Sequence, residues 1–168
     1  MRKEKVFSMI GELTVQFATL EHRLQGLLEI LTGKDNVLIG PLFIHELNLV
    51  TLLRKIKIVA ECRIQEKKPL LNELERIIKK INTTRAERNL LIHGDWQIEN
   101  TDSFPIKVRD FKVKYENGTW QEFTETAFTE KNLARLIRRL KGLVNEVEHL
   151  VRMLNDPQIA PNTTNESP

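Results

Sequence analysis

The stretch Arg88-Asn89-Leu-Leu-Ile-His93 sets a permanent cation and a proton-transfer group five positions apart. A guanidinium stays charged and offers a planar fork of N–H donors that matches a phosphate. An imidazole gives and takes protons near neutrality, as general acid and base work requires. Together they are the equipment for phosphate chemistry. Arg85, Arg88, Asn89, Ile92 and His93 follow the spacing i, i+3, i+4, i+7, i+8, which is one face of a helix. Four of these five are polar. His93 stands in the last turn before Gly94, where the helix dipole favours a cation.

Geometry limits what one chain can do with this pair. Five residues on a straight helix separate two side chains by roughly 140° around the axis and roughly 7.5 Å along it. Three arrangements overcome that separation. The long arginine reaches along the helix, the helix loosens at Gly94 and turns His93, or a twofold dimer lines one cleft with groups from two chains. A plainer reading stands beside these. Arg88 then salt-bridges Glu21 or Glu46 on a facing helix, and His93 is a capping residue donating to a free carbonyl.

The elements that must position these residues are mostly helical. Ile10, Leu13, Phe17, Leu20, Leu24, Leu27 and Leu31 step by threes and fours, one seam of a long first helix that Gly33 ends. A second helix is expected from Pro41, with Leu42, Leu49, Leu53, Ile56 and Ala60 on one side. Phe43, Val50, Leu52 and Val59 widen its apolar cover to more than one face. The third helix starts near Pro69 and carries Leu70, Leu74, Ile77 and Ile81. Continued at the same spacing, its seam runs to Thr84, Arg88 and Leu91, so Arg88 falls where packing asks for an apolar residue. Burying a guanidinium is costly, so Arg88 must meet a carboxylate, a phosphate or water. Ile106, Val108, Phe111, Val113 and Tyr115 then alternate as strand residues do, and Asn117-Gly118 is a strong signal for a two-residue hairpin turn. Trp120 and Phe123 continue the return strand, and a short strand at 96–99 is a further expectation. Thr129 caps a fourth helix with the seam Leu133, Leu136, Leu140, Leu143, Val147, Leu150, Leu154.

These readings make the chain all-α, an antiparallel four-helix bundle with a small β-hairpin insertion at about 96–124, between helices three and four. Residues 1–155 form one domain, and 156–168, rich in Pro, Asn and Thr, form a disordered tail. The seams of helices one and four serve either the core or a dimer interface.

With 168 residues, 40% hydrophobic and 29% charged, the composition is that of an ordinary globular domain. Net charge +3 tilts mildly toward anionic partners. One cysteine, Cys62, rules out an internal disulfide and argues against a cysteine-based metal site. The N-terminal segment is amphipathic, which argues against a signal peptide, and no apolar run is long enough to span a membrane. A cytoplasmic compartment is the expectation, and the triplets at Asn82, Asn117 and Asn162 are coincidental matches to the glycosylation signal.

Four helices with Glu87-Arg-Asn-Leu-Leu-Ile-His-Gly-Asp-Trp96 closing the third resemble the HEPN family, the higher eukaryotes and prokaryotes nucleotide-binding domains. The family's mark is an arginine, a polar residue and, four to six residues on, a histidine. Arg88, Asn89 and His93 fit it. The architecture covers residues 6–154; the specific motif is only these few. The resemblance implies a metal-independent endoribonuclease without cofactors, often a toxin or an antiviral defence protein, acting as a homodimer on RNA. Some members answer to a cognate antitoxin or regulatory protein. His93 would move the proton of the RNA 2′-hydroxyl or assist the leaving oxygen. Arg88 would stabilise charge on the phosphorane, and Asn89 would orient the phosphate or the histidine. The products would be a 2′,3′-cyclic phosphate and a 5′-hydroxyl. Other members bind only a nucleotide or a protein partner, and that is the alternative here.

Arg85 on the third helix, with Arg135, Arg138 and Arg139 on the fourth, would form the phosphate track of such an enzyme; such runs are otherwise solvated faces. Lys79, Lys80 and Lys141 extend the patch. Trp96, Tyr115 and Trp120 would stack on bases or form the insertion's own small core. His22, His45 and His149 each neighbour a glutamate, but none has a metal-ligand spacing, so no metal is expected.

Overall fold

The computed structural model describes residues 3–33, 44–97, 105–110, 114–116, 119–121 and 124–156. The elements in order are helix α1 (Lys3–Thr32), α2 (Leu49–Arg63), α3 (Lys68–His93), strands β1 (Asp95–Gln97), β2 (Ile106–Asp110), β3 (Lys114–Glu116), β4 (Thr119–Gln121) and β5 (Thr124–Phe128), and helix α4 (Glu130–Asn155). The described residues are thus mostly helical, with antiparallel strands between α3 and α4. None of the described helices is long and apolar enough to cross a membrane.

The helix ends follow from local chemistry. Gly33, at φ +92°, closes α1 with its N–H on the Ile30 carbonyl, a backbone region that glycine enters without a Cβ clash. The α2 helix starts at Leu49, where the Asn48 side chain accepts from the Thr51 N–H at 3.0 Å and satisfies a first-turn donor. The expected start at Pro41, with Leu42 and Phe43, lies outside the described residues. Burial on α2 is confined to one face, Leu49, Leu52, Leu53, Ile56 and Ala60. Of the residues read as widening the apolar cover, Leu52 is buried and Val59 half-buried, whereas Val50 is 52% exposed; Phe43 lies outside the described residues.

Thr129 caps α4: its Oγ1 accepts from the Asn132 N–H at 3.2 Å. Thr129→Ala should therefore lower stability by about 1 kcal/mol. Urea unfolding checks it, and an unchanged midpoint would show that the cap is not needed.

The chain folds into two compact units, Met1–Phe17 with Ile81–Lys141, and Ala18–Lys80 with Gly142–Pro168. In the first unit, Leu13, Phe17, Leu91, Val108, Leu133 and Leu136 are essentially buried. Each such side chain contributes about 1.5–3 kcal/mol by leaving water. Strands β1, β2 and β5 form one antiparallel sheet with β2 in the middle. Strands β3 and β4 form a separate pair, with Glu116 opposite Thr119. That register leaves two residues for the turn, as Asn117-Gly118 predicts; those two lie outside the described residues. The single small hairpin expected at 96–124 is thus too small. The sheet extends to Phe128, because Ile106 pairs with Phe128 and Lys107 with Ala127. Ile106, Val108 and Phe128 are buried, so the alternation in β2 buries one face of this sheet as read, and β5 adds the strand that the helix cap at Thr129 had hidden.

Two ion pairs of this unit fix a direction. Lys5 of α1 pairs with Glu130 of α4, and Glu12 pairs with Lys141 at 2.7 Å. Both helices advance between the two pairs, so they run the same way there. Four consecutive antiparallel helices would run the first and last oppositely, and that part of the expected arrangement is corrected.

In the second unit, the Arg63 guanidinium, at the end of α2, donates to the Thr32 carbonyl, at the end of α1, at 3.2 Å. That bond ties the end of α2 to the end of α1. Leu20, Leu24, Leu27, Ile56, Ile77, Leu143, Val147 and Leu150 are buried in this unit. At its surface Glu146 of α4 accepts from Arg76 at 3.0 Å and from Lys80 at 2.9 Å. The Arg76 guanidinium, hydrogen-bonded to Glu73, holds that carboxyl below the usual carboxylate range. Exposed pairs of this kind contribute at most about 1 kcal/mol each.

Candidate functional site

The residues of interest lie in the last turns of α3, within the first unit. The predicted seam continues through them: Ile77, Ile81, Thr84 and Leu91 are all at most 1% exposed, and Arg88 is half-buried between them. Its neighbour there is aromatic. The Arg88 guanidinium carbon lies 4.7 Å from the centroid of the Phe17 ring on α1. A cation at that distance over a π face is held by about 1 kcal/mol, more where water is excluded. This answers how an arginine occupies a seam position: one of the apolar residues facing it is a phenylalanine rather than a leucine. Ion pairs of Arg88 with Glu21 or Glu46 are not among those of the described residues.

Asn89 holds the other edge of the guanidinium. Arg88 Nη1 donates to Asn89 Oδ1 at 3.1 Å. The Nε of Arg88 is buried and has no hydrogen-bond partner among the described residues, and the same is true of Arg85 one turn earlier. With Nη1 on Asn89 and Nε enclosed, Nη2 is the nitrogen of Arg88 left to meet an anion. Asn89 thus orients Arg88; a bond from Asn89 to His93 is not among those of the described residues.

His93 is exposed, and the backbone around it is regular. The Gly94 N–H still donates to the Leu90 carbonyl at 2.9 Å, the α-helical i to i−4 bond. The Trp96 indole N–H donates to the Leu91 carbonyl at 2.8 Å and satisfies one of the acceptors that a helix C-terminus leaves open. Strand β2 crosses directly over Gly94. A Cβ built there would overlap Val108 Cγ1 and stand 2.5 Å from the Leu90 oxygen and 3.0 Å from the Arg109 oxygen. The helix therefore does not loosen before Gly94, and this way of turning His93 toward Arg88 is closed. On a straight helix the two remain roughly 140° apart. Arg88 packs on α1 while His93 looks outward.

Of the remaining predicted residues, Arg135 and Arg138 are exposed on α4. Arg139 is engaged: its Nη1 lies 2.5 Å from Glu87 Oε1. That ion pair fastens the residue preceding Arg88 to α4, and it removes Arg139 as a free cation. Lys141 is taken by Glu12. Trp96 serves the helix end; the side chains of Tyr115 and Trp120 lie outside the described residues. Phe17 and Glu87 are the residues that sequence reading missed as parts of the site. Phe17 is an aromatic residue in an otherwise aliphatic seam, and that was its one visible signal. Among the described residues no group of three or more metal-ligating side chains converges.

Comparison with known proteins adds no relative: no protein-family model matches the chain, and neither curated proteins nor solved structures give a significant match.

Proposed function

We propose that this protein is a metal-independent endoribonuclease of the HEPN type, built as a helical bundle and acting as a homodimer. The observation that carries the reading is Arg88, held between the Phe17 ring and Asn89 with Nη2 left over, one and a half turns before an exposed His93. A purely structural seam position rarely takes an arginine, because its charge must be desolvated. In this reading His93 takes the proton of a 2′-hydroxyl. The 2′-oxygen attacks phosphorus, the bond from phosphorus to the 5′-oxygen breaks, and the leaving oxygen receives a proton from the partner subunit's His93. Arg88 stabilises the charge on the phosphorane oxygens. The products are a 2′,3′-cyclic phosphate and a 5′-hydroxyl. Arg85, Arg135 and Arg138 guide the RNA backbone. The biological setting is a toxin or antiviral defence element with a cognate regulatory partner.

The straight end of α3 supports a second chain in this reading, because one chain points Arg88 and His93 apart. Sedimentation equilibrium should give twice the 19.6 kDa chain mass. A monomer at every concentration that supports cleavage would sink the shared cleft. The activity test is incubation of the protein with total cellular RNA in EDTA, with end-group analysis of the fragments. The absence of cleavage under all dimeric conditions would overturn the enzyme.

A second reading has its own support. The cation–π contact and the Asn89 bond employ Arg88 as a packing element, as expected of a non-catalytic module that binds a nucleotide or a protein.

A further inference from the structure

The seams of α1 and α3 each hold a residue that aliphatic packing does not ask for, and the two meet. The α1 seam reads Ile10, Leu13, Phe17, Leu20, Leu24, Leu27, Leu31, so Phe17 is its one aromatic member. The α3 seam holds one charge, Arg88. Phe17 is buried, and the Arg88 guanidinium carbon stands 4.7 Å from the centroid of its ring. Leucine at position 17 would fill space there and no more. A phenyl ring adds a negative π face that attracts a cation.

The hold on Arg88 has separate parts. The Phe17 ring occupies the side from which water would otherwise solvate the guanidinium. Asn89 Oδ1 accepts from Nη1 at 3.1 Å, which limits rotation within the guanidinium plane. Nε is enclosed. The ring limits tilt of that plane, a freedom that the Asn89 bond alone leaves open. A donor that stabilises charge in a transition state acts best when it is already aimed, because no reorganisation is then needed as the charge develops.

We infer that Phe17 is a positioning residue of the ribonuclease site. It touches no RNA and acts through Arg88, by fixing the guanidinium that stabilises the phosphorane. The inference rests on the ribonuclease reading above and adds to it a residue on α1, far from the motif in sequence.

The test replaces Phe17 in the full chain by singly and by triply fluorinated phenylalanine, and separately by leucine. Fluorine draws electron density from the ring face and weakens its hold on a cation, while ring shape and burial are nearly kept. The readout is the single-turnover rate at which total cellular RNA gains 2′,3′-cyclic phosphate ends, taken per folded molecule. That rate should fall stepwise with the number of fluorines. Phe17→Leu should lose about tenfold, the rate equivalent of one partly desolvated cation–π contact. The protein concentration for half-maximal rate should move by less than about twofold, because every variant keeps the Arg88 charge and loses only its aim. In an Arg88→Ala background the same replacements should change the rate no further, since the effect passes through Arg88. Rates that ignore the fluorine count, or a Phe17→Leu loss that persists undiminished without Arg88, would make Phe17 a packing residue and overturn the inference while the enzyme stands. A wild type that cleaves no RNA removes the ribonuclease reading itself, and the inference with it.

Discussion

His93→Ala should reduce RNA cleavage by about 10²–10⁴-fold, the usual contribution of a positioned general acid or base. Its thermal midpoint should not move, because an exposed side chain away from packing changes stability by no more than about 0.5 kcal/mol. That combination separates a catalytic histidine from a helix cap. A variant that cleaves like the wild type removes His93 from the chemistry whatever its stability. Arg88→Ala should lose about 10²–10³-fold, the scale of an electrostatic donor to a transition state, and should also unfold about 1–2 kcal/mol earlier. The second effect comes from the emptied space over Phe17 and the orphaned Asn89 carbonyl. Arg88→Lys keeps the charge and loses the fork, so a bidentate role predicts that it fails nearly as badly as alanine. If Arg88 merely packs, its variants lose stability while the rate per folded molecule stays constant. Single-turnover rates alongside melting curves distinguish these outcomes.

Gly94→Ala should be the most destabilising single methyl group in the described residues. The new Cβ would overlap Val108 and approach two carbonyl oxygens, those of Leu90 and Arg109. Backbone oxygens cannot swing aside as a long side chain does, so helix end and strand must separate. Overpacking of this kind costs about 1–3 kcal/mol, and the upper end is expected where backbone is involved. For a chain of this size that is a fall of about 5–10 °C in Tm. A melting curve that matches the wild type would mean that β2 does not cross Gly94 as described. Gly11→Ala, where nothing lies within 4 Å of the added atom, is the control and should not destabilise.

The helices were legible because they are amphipathic and locally punctuated. The seams of α1, α3 and α4 appear in the core almost residue for residue, and Gly33 and Thr129 stop and start helices as their types require. The helix start at Leu49 was not legible, because the Asn48 cap acts through one hydrogen bond that a hydrophobic pattern does not carry. The extra strand β5 was hidden because Thr124–Phe128 has neither clean alternation nor a strong apolar run. Its pairing with β2 is what makes it a strand. Helix direction was also beyond the pattern, since a seam repeats identically whichever way a helix points. Two successive long-range contacts, Lys5–Glu130 and Glu12–Lys141, decide it for α1 and α4.

The same division runs through the site. Residue type and spacing alone determined that Arg85, Arg88, Asn89 and His93 end one helix and that Arg88 interrupts an apolar seam, because helical periodicity is a local property of the backbone. What Arg88 meets in that seam is a matter of which helix lies opposite, and only the tertiary structure supplied Phe17. Which formal charges are available is likewise a tertiary outcome: Arg139 counts as a cation in the composition and is paired with Glu87 in the fold. The straightness of the helix through His93 was decided last, by a strand far along the chain pressing on Gly94, since only a close approach in space holds that turn in place.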